Sequence, residues 1–162
     1  MQPENAVIKM IELIKQNPNE IEVLCIGPLT NLAMAICLEP KIPQMLKNLF
    51  VMGGTDSARG NESQTAEFNF YADPEATEIV LERFKETEVK VNLVTWECTI
   101  KNAISWEFYD RLCDKSTTEG FLMKEISKAM EKFLRDEGSG LVSDYIIPDF
   151  VAAAVLIDES LV

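Results

Sequence analysis

Short apolar runs alternate with amphipathic segments along this chain. Residues 22–26 and 47–52 are mostly apolar, as is the run over 88–95, and such short runs predict strands buried in a parallel sheet. Between them, apolar residues recur every three or four positions, which predicts helices over 3–16, 32–38, 73–84, 102–112, 116–133 and 149–157. The alternation predicts an α/β fold on a largely parallel open sheet. No repeat or internal boundary is visible, so residues 1–162 are expected to form a single domain.

Several side chains suit the ends of the predicted helices. Asp73, followed by Pro74, has the form of an N-cap and a first helical residue, and Thr30 or Asn31 is expected to cap the helix over 32–38. The segment Ser116–Glu119 has the spacing of a capping box. The helix that it opens carries an apolar stripe, which predicts core packing or a subunit contact: Phe121, Met123, Ile126, Met130 and Phe133.

Composition narrows the possible function classes. The 162 residues contain no histidine, which excludes Ser-His-Asp and Cys-His catalytic groups and HExxH zinc sites from this chain. The net charge of −12 repels nucleic-acid backbones and anionic membranes, so no nucleic acid polymer and no membrane is expected as a partner. The 47% hydrophobic content and the length favour a globular domain with a real core.

The four cysteines show no metal-binding or redox spacing. They form no CxxC pair, and Cys25 and Cys37 fall in apolar runs, where they are expected to be buried. The first residues, MQPENAV, lack the basic and apolar regions of a signal peptide, and no apolar run reaches membrane-spanning length. These features predict a cytoplasmic protein.

The stretch from Val51 to Glu75 carries the densest candidate chemistry. It leaves a predicted strand at a pair of glycines, whose small size leaves room for a bound molecule, then crosses a long polar loop and enters a helix. The loop offers hydrogen-bonding side chains at Asn61, Glu67 and Asn69, with Phe68 as an apolar wall. The pattern predicts a small ligand rich in hydroxyl groups. The alternative is a polar surface loop that only anchors itself.

Three ordered segments carry a more specific signal. The central stretch reads MGG, GN, AEFN and DPEA in that order, IGPLTNLA lies upstream at 26–33, and Asp149 lies downstream. Together they resemble the inosine–uridine-preferring nucleoside hydrolase family, over roughly its C-terminal half. The resemblance implies a three-layer, mostly parallel sheet that is incomplete at the N-terminus, and a homo-oligomer. It also implies calcium-dependent hydrolysis of the N-glycosidic bond of ribonucleosides to free base and ribose.

The resemblance further implies which residues hold the substrate. Met52, Asn61, Glu67 and Asn69 match positions that contact the sugar hydroxyls and the lower face of the sugar ring, with Phe68 between the last two. Hydrogen bonds that tighten as positive charge develops on the sugar would assist cleavage of the glycosidic bond. The expected substrate is therefore a small ribonucleoside.

For a Ca²⁺ ion, the resemblance implies two ligands in this chain. Asp149 matches a distal aspartate ligand, and Ile26 matches a position whose backbone carbonyl completes the shell, while its side chain is expected in the strand core. The family's general base belongs to an aspartate cluster that would precede this chain, so no catalytic residue is identified here. Pro148 stands where many members place the histidine that protonates the leaving base, and proline has no proton to give.

These departures from the family pattern keep a second interpretation open. In it, the chain is a catalytically inactive fragment or pseudoenzyme that acts as a binding or oligomerisation module. Three of the singled-out residues also have structural alternatives. Asp149 suits a helix N-cap, and Trp96 and Trp106, which have the shape to stack on a nucleobase, suit buried packing better.

Overall fold

The chain divides into two compact units. The computed structural model describes residues 5–114, 116–136 and 144–161. One unit, here called the sheet unit, comprises Met1–Glu97 and Asp149–Val162. The other, here called the helical unit, comprises Cys98–Pro148. The expectation of a single domain over 1–162 stays a prediction.

Among the described residues, three parallel strands form one sheet in the order β1-β2-β3. They are β1 Glu22–Cys25, β2 Asn48–Met52 and β3 Lys90–Val94. Val23 lies opposite Leu49, which lies opposite Val91, so these three apolar side chains share one face of the sheet. The predicted α/β fold with a parallel sheet is confirmed.

Helices connect the strands and form the helical unit. Their bounds are α1 Ala6–Gln16, α2 Thr30–Leu38, α3 Ile42–Met45, α4 Phe68–Ala72, α5 Pro74–Lys85, α6 Trp96–Lys101, α7 Trp106–Leu112, α8 Thr118–Asp136 and α9 Pro148–Ile157, followed by a 3₁₀ turn over Glu159–Leu161. The hydrophobic pattern did not predict α3, α4 or α6, each six residues long or shorter. No helix in the described ranges has both the length and the apolar character that crossing a membrane requires.

The main core of the sheet unit lies on the face that carries Leu49 and Val51. Four helices, α1, α2, α3 and α5, contribute to it through buried aliphatic and aromatic side chains: Ile14, Leu32, Ile36, Ile42, Val80 and Phe84. Phe50, Met52 and Val94, on the opposite face, are buried as well. β2 is thus covered on both faces, as its uninterrupted apolar sequence requires.

Of the three predicted helix starts, one is confirmed and two are wrong. Asp73 caps α5, because its carboxylate accepts a hydrogen bond from the N–H of Ala76 at 3.0 Å. α2 begins after Leu29 with no side-chain cap, since the hydroxyl of Thr30 donates instead to Asp73. At α8 the capping oxygen belongs to Thr117, whose Oγ1 accepts from the N–H of Gly120 at 3.0 Å, so the predicted box is displaced by one residue.

Two predicted core side chains are not in the core. Cys37 is exposed because it lies on the side of α2 that faces away from the sheet. Ile26 is 48% exposed, because β1 ends at Cys25 and the chain leaves the sheet before Gly27. Cys25 itself is partly buried, and desolvation raises the pKa of its thiol to about 11.

An aromatic cluster organises the helical unit. Tyr109 and Tyr145 lie with ring centroids 4.2 Å apart, and Trp106 meets both rings edge-on. The Arg135 guanidinium lies 3.8 Å from the centroid of the Trp106 ring, which agrees with the packing interpretation of this tryptophan. Tyr145 forms the predicted extended piece, an antiparallel bridge to Ile104. Of the turn predicted over 135–143, residues 135 and 136 end α8, and 137–143 lie outside the described residues, as does Pro3 at the predicted start of α1.

Candidate ligand-binding site

Glu67 is the centre of the polar loop that follows β2. It is buried, and its carboxylate accepts three backbone N–H groups: from Gly54 at 3.0 Å, Asn69 at 2.8 Å and Phe70 at 3.2 Å. The last two bonds cap the N-terminus of α4. Glu67 therefore ties the glycine turn at the end of β2 to the start of the next helix.

Asn69 and Asn61 are oriented by backbone groups in the same way. The amide nitrogen of Asn69, Nδ2, donates to the carbonyl of Met52 at 3.0 Å and lies 3.2 Å from the Met52 sulfur. Oδ1 of Asn61 accepts from the N–H of Phe68 at 2.8 Å. A carbonyl needs a donor and an N–H needs an acceptor, so both amide orientations follow from their partners.

Each amide retains one polar atom. Within the described ranges, no hydrogen bond uses Asn61 Nδ2 or Asn69 Oδ1, and Glu67 Oε1 accepts only from the N–H of Asn69. One donor and two acceptors therefore remain, on side chains whose other atoms are already held by the backbone. Met52 is buried beside Asn69, and Phe68 is about half exposed.

The space beside the two loop glycines is filled by the protein itself. A Cβ at Gly53 would lie 2.4 Å from the Phe70 ring, and one at Gly54, whose φ is +74°, would lie 2.7 Å from the same ring. Phe70 therefore occupies the room that sequence reasoning assigned to a bound molecule. The glycines allow close packing between α4 and the end of β2.

A cavity of about 380 Å³ opens on the other side of Glu67. Its walls include four threonines, together with Phe70, Tyr71 and Leu93: Thr55, Thr65, Thr77 and Thr95. Of the predicted ligand-contacting residues, only Glu67 lines this cavity. The structure thus links Met52, Asn61, Glu67, Phe68 and Asn69 through hydrogen bonds and chain connectivity, but it does not gather them around this volume.

Sequence reasoning missed Glu97, which anchors the loop. Its carboxylate accepts from the N–H of Asp56 at 3.0 Å, and from the N–H and hydroxyl of Ser57 at 3.1 and 2.7 Å. Desolvation alone would raise the pKa of Glu97, but the hydrogen bonds from Ser57 and Asp56 outweigh it and lower the pKa to about 2. No local motif points to this contact, because the partners lie 40 and 41 residues earlier in the chain.

The titration of Glu97 should report this anchor directly. Because its folded pKa lies below the ordinary 4.5, the bonds stabilise the loop above pH 4.5 and are lost as the pH falls through about 2. Carbon-13 NMR of the side-chain carboxyl should give a midpoint near 2, and Ser57→Ala should move it upward. A wild-type midpoint near 4.5 would contradict the anchor.

Comparison with known proteins identifies the family. The sequence pattern described as inosine-uridine preferring nucleoside hydrolase matches residues 1–162. The chain belongs to the nucleoside hydrolase family. It is 41% identical to a probable uridine nucleosidase 1 of Oryza sativa subsp. japonica over 96 residues, which cover 59% of this chain and 30% of that protein. It is 27% identical to the pyrimidine-specific ribonucleoside hydrolase RihA of Salmonella newport (strain SL254), covering 85% of this chain and 42% of that protein.

Solved nucleoside hydrolases share the fold. An inosine-guanosine nucleoside hydrolase superposes with a TM-score of 0.83 at 30% identity, covering 98% of this chain and 49% of that one. A purine-preferring ribonucleoside hydrolase from Gardnerella vaginalis gives a TM-score of 0.87 at 24% identity, covering 99% and 49%. The chain thus spans half or less of the length of these relatives.

The nucleoside hydrolase resemblance predicted two calcium ligands, Asp149 and the Ile26 carbonyl. Asp149 lies in the first turn of α9, directly after Pro148, and desolvation raises the pKa of its carboxyl. Ile26 lies just beyond β1. Calcium takes six to eight oxygen ligands. Across the part of the chain that the structure describes, no group of three or more His, Cys, Asp or Glu side chains is placed to hold a metal ion. The described residues therefore do not by themselves fit a calcium site.

Proposed function

We propose that this chain forms the sugar-binding part of a nucleoside hydrolase that splits the N-glycosidic bond of ribonucleosides into free base and ribose. The observation that carries the proposal is the arrangement of Asn61, Glu67 and Asn69. Each is held by a backbone partner, and each keeps hydrogen-bonding capacity. Side chains fixed in advance lose little conformational entropy when a ligand binds.

Ribose hydroxyls match the chemistry of these atoms. A hydroxyl group both donates and accepts, so Asn61 Nδ2 would donate to one hydroxyl while Asn69 Oδ1 and Glu67 Oε1 would accept from others. The negative charge of Glu67 favours the positive charge that develops on the sugar ring as the bond to the base breaks. Pro148 supplies no proton to the leaving base, so in this chain the contribution to catalysis is binding and orientation.

The proposal includes calcium only as an ion held by a more complete site. Asp149 and the Ile26 carbonyl would supply two of its six to eight oxygen ligands. We further propose a cytoplasmic setting, which the four free cysteines favour.

Asn61→Asp tests the sugar-binding role with little change in shape. The new side chain still accepts from the Phe68 N–H but loses the free donor, so the affinity for uridine or inosine should fall about tenfold, the equivalent of one hydrogen bond. Ligand-observed NMR titration of the full chain measures this change.

Two controls isolate the lost donor. Asn19→Asp makes the same charge change in the turn between α1 and β1 and should leave affinity unaltered. With 2′,3′-dideoxyuridine, Asn61→Asp should bind like the unmodified chain, because the hydroxyl partners are gone. An equal loss of affinity for this analogue would overturn the sugar-binding role of Asn61.

A second candidate function is a binding or oligomerisation module without catalytic activity. The missing acidic cluster in the described ranges and the proline at position 148 favour it. Release of reducing sugar from uridine or inosine, followed over time with calcium present, separates the two candidates. Steady release supports the hydrolase. Nucleoside binding without release supports the module.

Calcium titration of the unmodified chain should give no tight binding. One carboxylate and one carbonyl are too few ligands for a cation whose affinity depends on ligand charge, and Asp149→Asn should therefore change nothing. Calorimetry on the two proteins checks this expectation. Tight binding that Asp149→Asn abolishes would mean that carboxylates from another chain complete the site.

A further inference from the structure

The long helix α8 presents an apolar stripe to solvent. Leu122, Ile126, Met130 and Phe133 are 58%, 69%, 50% and 48% exposed. They follow one another at spacings of four and three residues, so they line one side of the helix. A continuous exposed apolar stripe of this kind marks an interaction surface.

The opposite side of α8 is held inward by polar contacts. Lys124 and Glu131 form an ion pair at 2.7 Å, and the Tyr109 hydroxyl donates to Glu131 at 3.3 Å. Ser127 is buried between them along the helix, and Met123 packs against the Tyr109 cluster. Rotating the helix to bury the stripe would break these contacts, so the stripe faces outward as a consequence of how the helical unit is built.

The stripe has the heptad spacing of a helix-pairing seam. Leu122, Ile126, Ala129 and Phe133 are separated by four, three and four residues, which is the spacing of alternating d and a positions. In this frame Met123 and Met130 flank one side of the seam. Glu125 and Lys132, one acidic and one basic, flank the other side at the g positions.

We propose that α8 pairs with α8 of a second copy of this chain, in antiparallel orientation. In such a pair, layers join Ile126 to Ala129 and Leu122 to Phe133 of the other copy. Each g residue then meets a g residue of the partner helix, which brings Glu125 opposite Lys132 at both ends of a two-fold symmetric seam. A parallel pair would set Glu125 opposite Met130 instead, with no complementary charge.

Self-complementarity is the reason for choosing a second copy as the partner. The same short segment supplies both apolar layers and both halves of each charge pair, as a two-fold interface requires. The seam from Leu122 to Phe133 spans about 17 Å along the helix, so a modest affinity is expected. This inference does not depend on the proposed hydrolase activity.

Sedimentation equilibrium over a range of concentrations tests the pairing. The chain should associate from 18.2 kDa to twice that mass, and Ile126→Glu should raise the dimer dissociation constant at least about tenfold. Phe121→Ser is the matched control: Phe121 is 51% exposed on the same helix, but off the seam, and its loss should leave the dissociation constant unchanged. Unaltered circular dichroism would show that each variant still folds.

A charge exchange tests the antiparallel orientation. Glu125→Lys alone places two lysines together at each end and should weaken the dimer, whereas Glu125→Lys combined with Lys132→Glu restores opposite charges and should recover it. A chain that stays monomeric, or a dimer that Ile126→Glu leaves intact, would overturn the proposal. Failure of the double variant to recover would overturn the antiparallel orientation.

Discussion

Replacing Glu67 by alanine should lower the free energy of unfolding by about 3 kcal/mol, because three backbone N–H groups lose their acceptor at once. A buried donor left without a partner costs about 1–3 kcal/mol, and the desolvation penalty of the removed carboxylate offsets part of the total. The substitution also removes the N-cap of α4. Urea denaturation followed by circular dichroism measures the change.

Two further variants separate this effect from a general loss of charge. Glu67→Gln keeps one acceptor oxygen and should recover part of the stability. Glu62→Ala removes an exposed carboxylate from the same loop and should stay within about 0.5 kcal/mol of the unmodified chain. If Glu67→Ala were as stable as Glu62→Ala, the three hydrogen bonds would not form in solution.

Replacing Gly53 by alanine should destabilise the chain by about 2 kcal/mol, because the new Cβ meets the Phe70 ring at 2.4 Å. Either the ring must move or the turn after β2 must open, and both disturb the start of α4. Gly27→Ala is the matched control, since nothing lies within 4 Å of a Cβ at Gly27, which follows the neighbouring strand.

A double-mutant cycle identifies Phe70 as the cause. In a Phe70→Leu background the aromatic ring is absent, so Gly53→Ala should cost much less, with a coupling energy above about 1 kcal/mol. Urea denaturation of the four proteins gives this energy. Additive costs would contradict the contact.

The strand order and the polar loop were predictable because they rest on local patterns. Each short apolar run ends at or near residues that terminate strands, and Asp73-Pro74 is a strong helix start. The segment over 67–69 was singled out correctly as chemically dense. Its internal bonds were weighed as the alternative, and the structure shows that they coexist with unused polar atoms.

Contacts between distant segments were not predictable from those patterns. Glu97 looks like an acidic residue in the first turn of a helix, and nothing near it indicates Ser57 as its partner. Phe70 looks like an ordinary helix residue, and only the structure places its ring against Gly53. For α8, periodicity predicts an apolar face but does not say whether it points inward. Here the Lys124–Glu131 pair takes the inner side.

The strand order has a consequence for synthesis on the ribosome. Each strand pairs with the strand that precedes or follows it along the chain, and Glu22 meets Asn48 across only 26 residues. β1 and β2, with α1 to α3, can therefore assemble while β3 is still inside the ribosomal tunnel. The nascent chain grows its sheet in one direction, and at each moment the newest strand is the exposed edge that the next one covers.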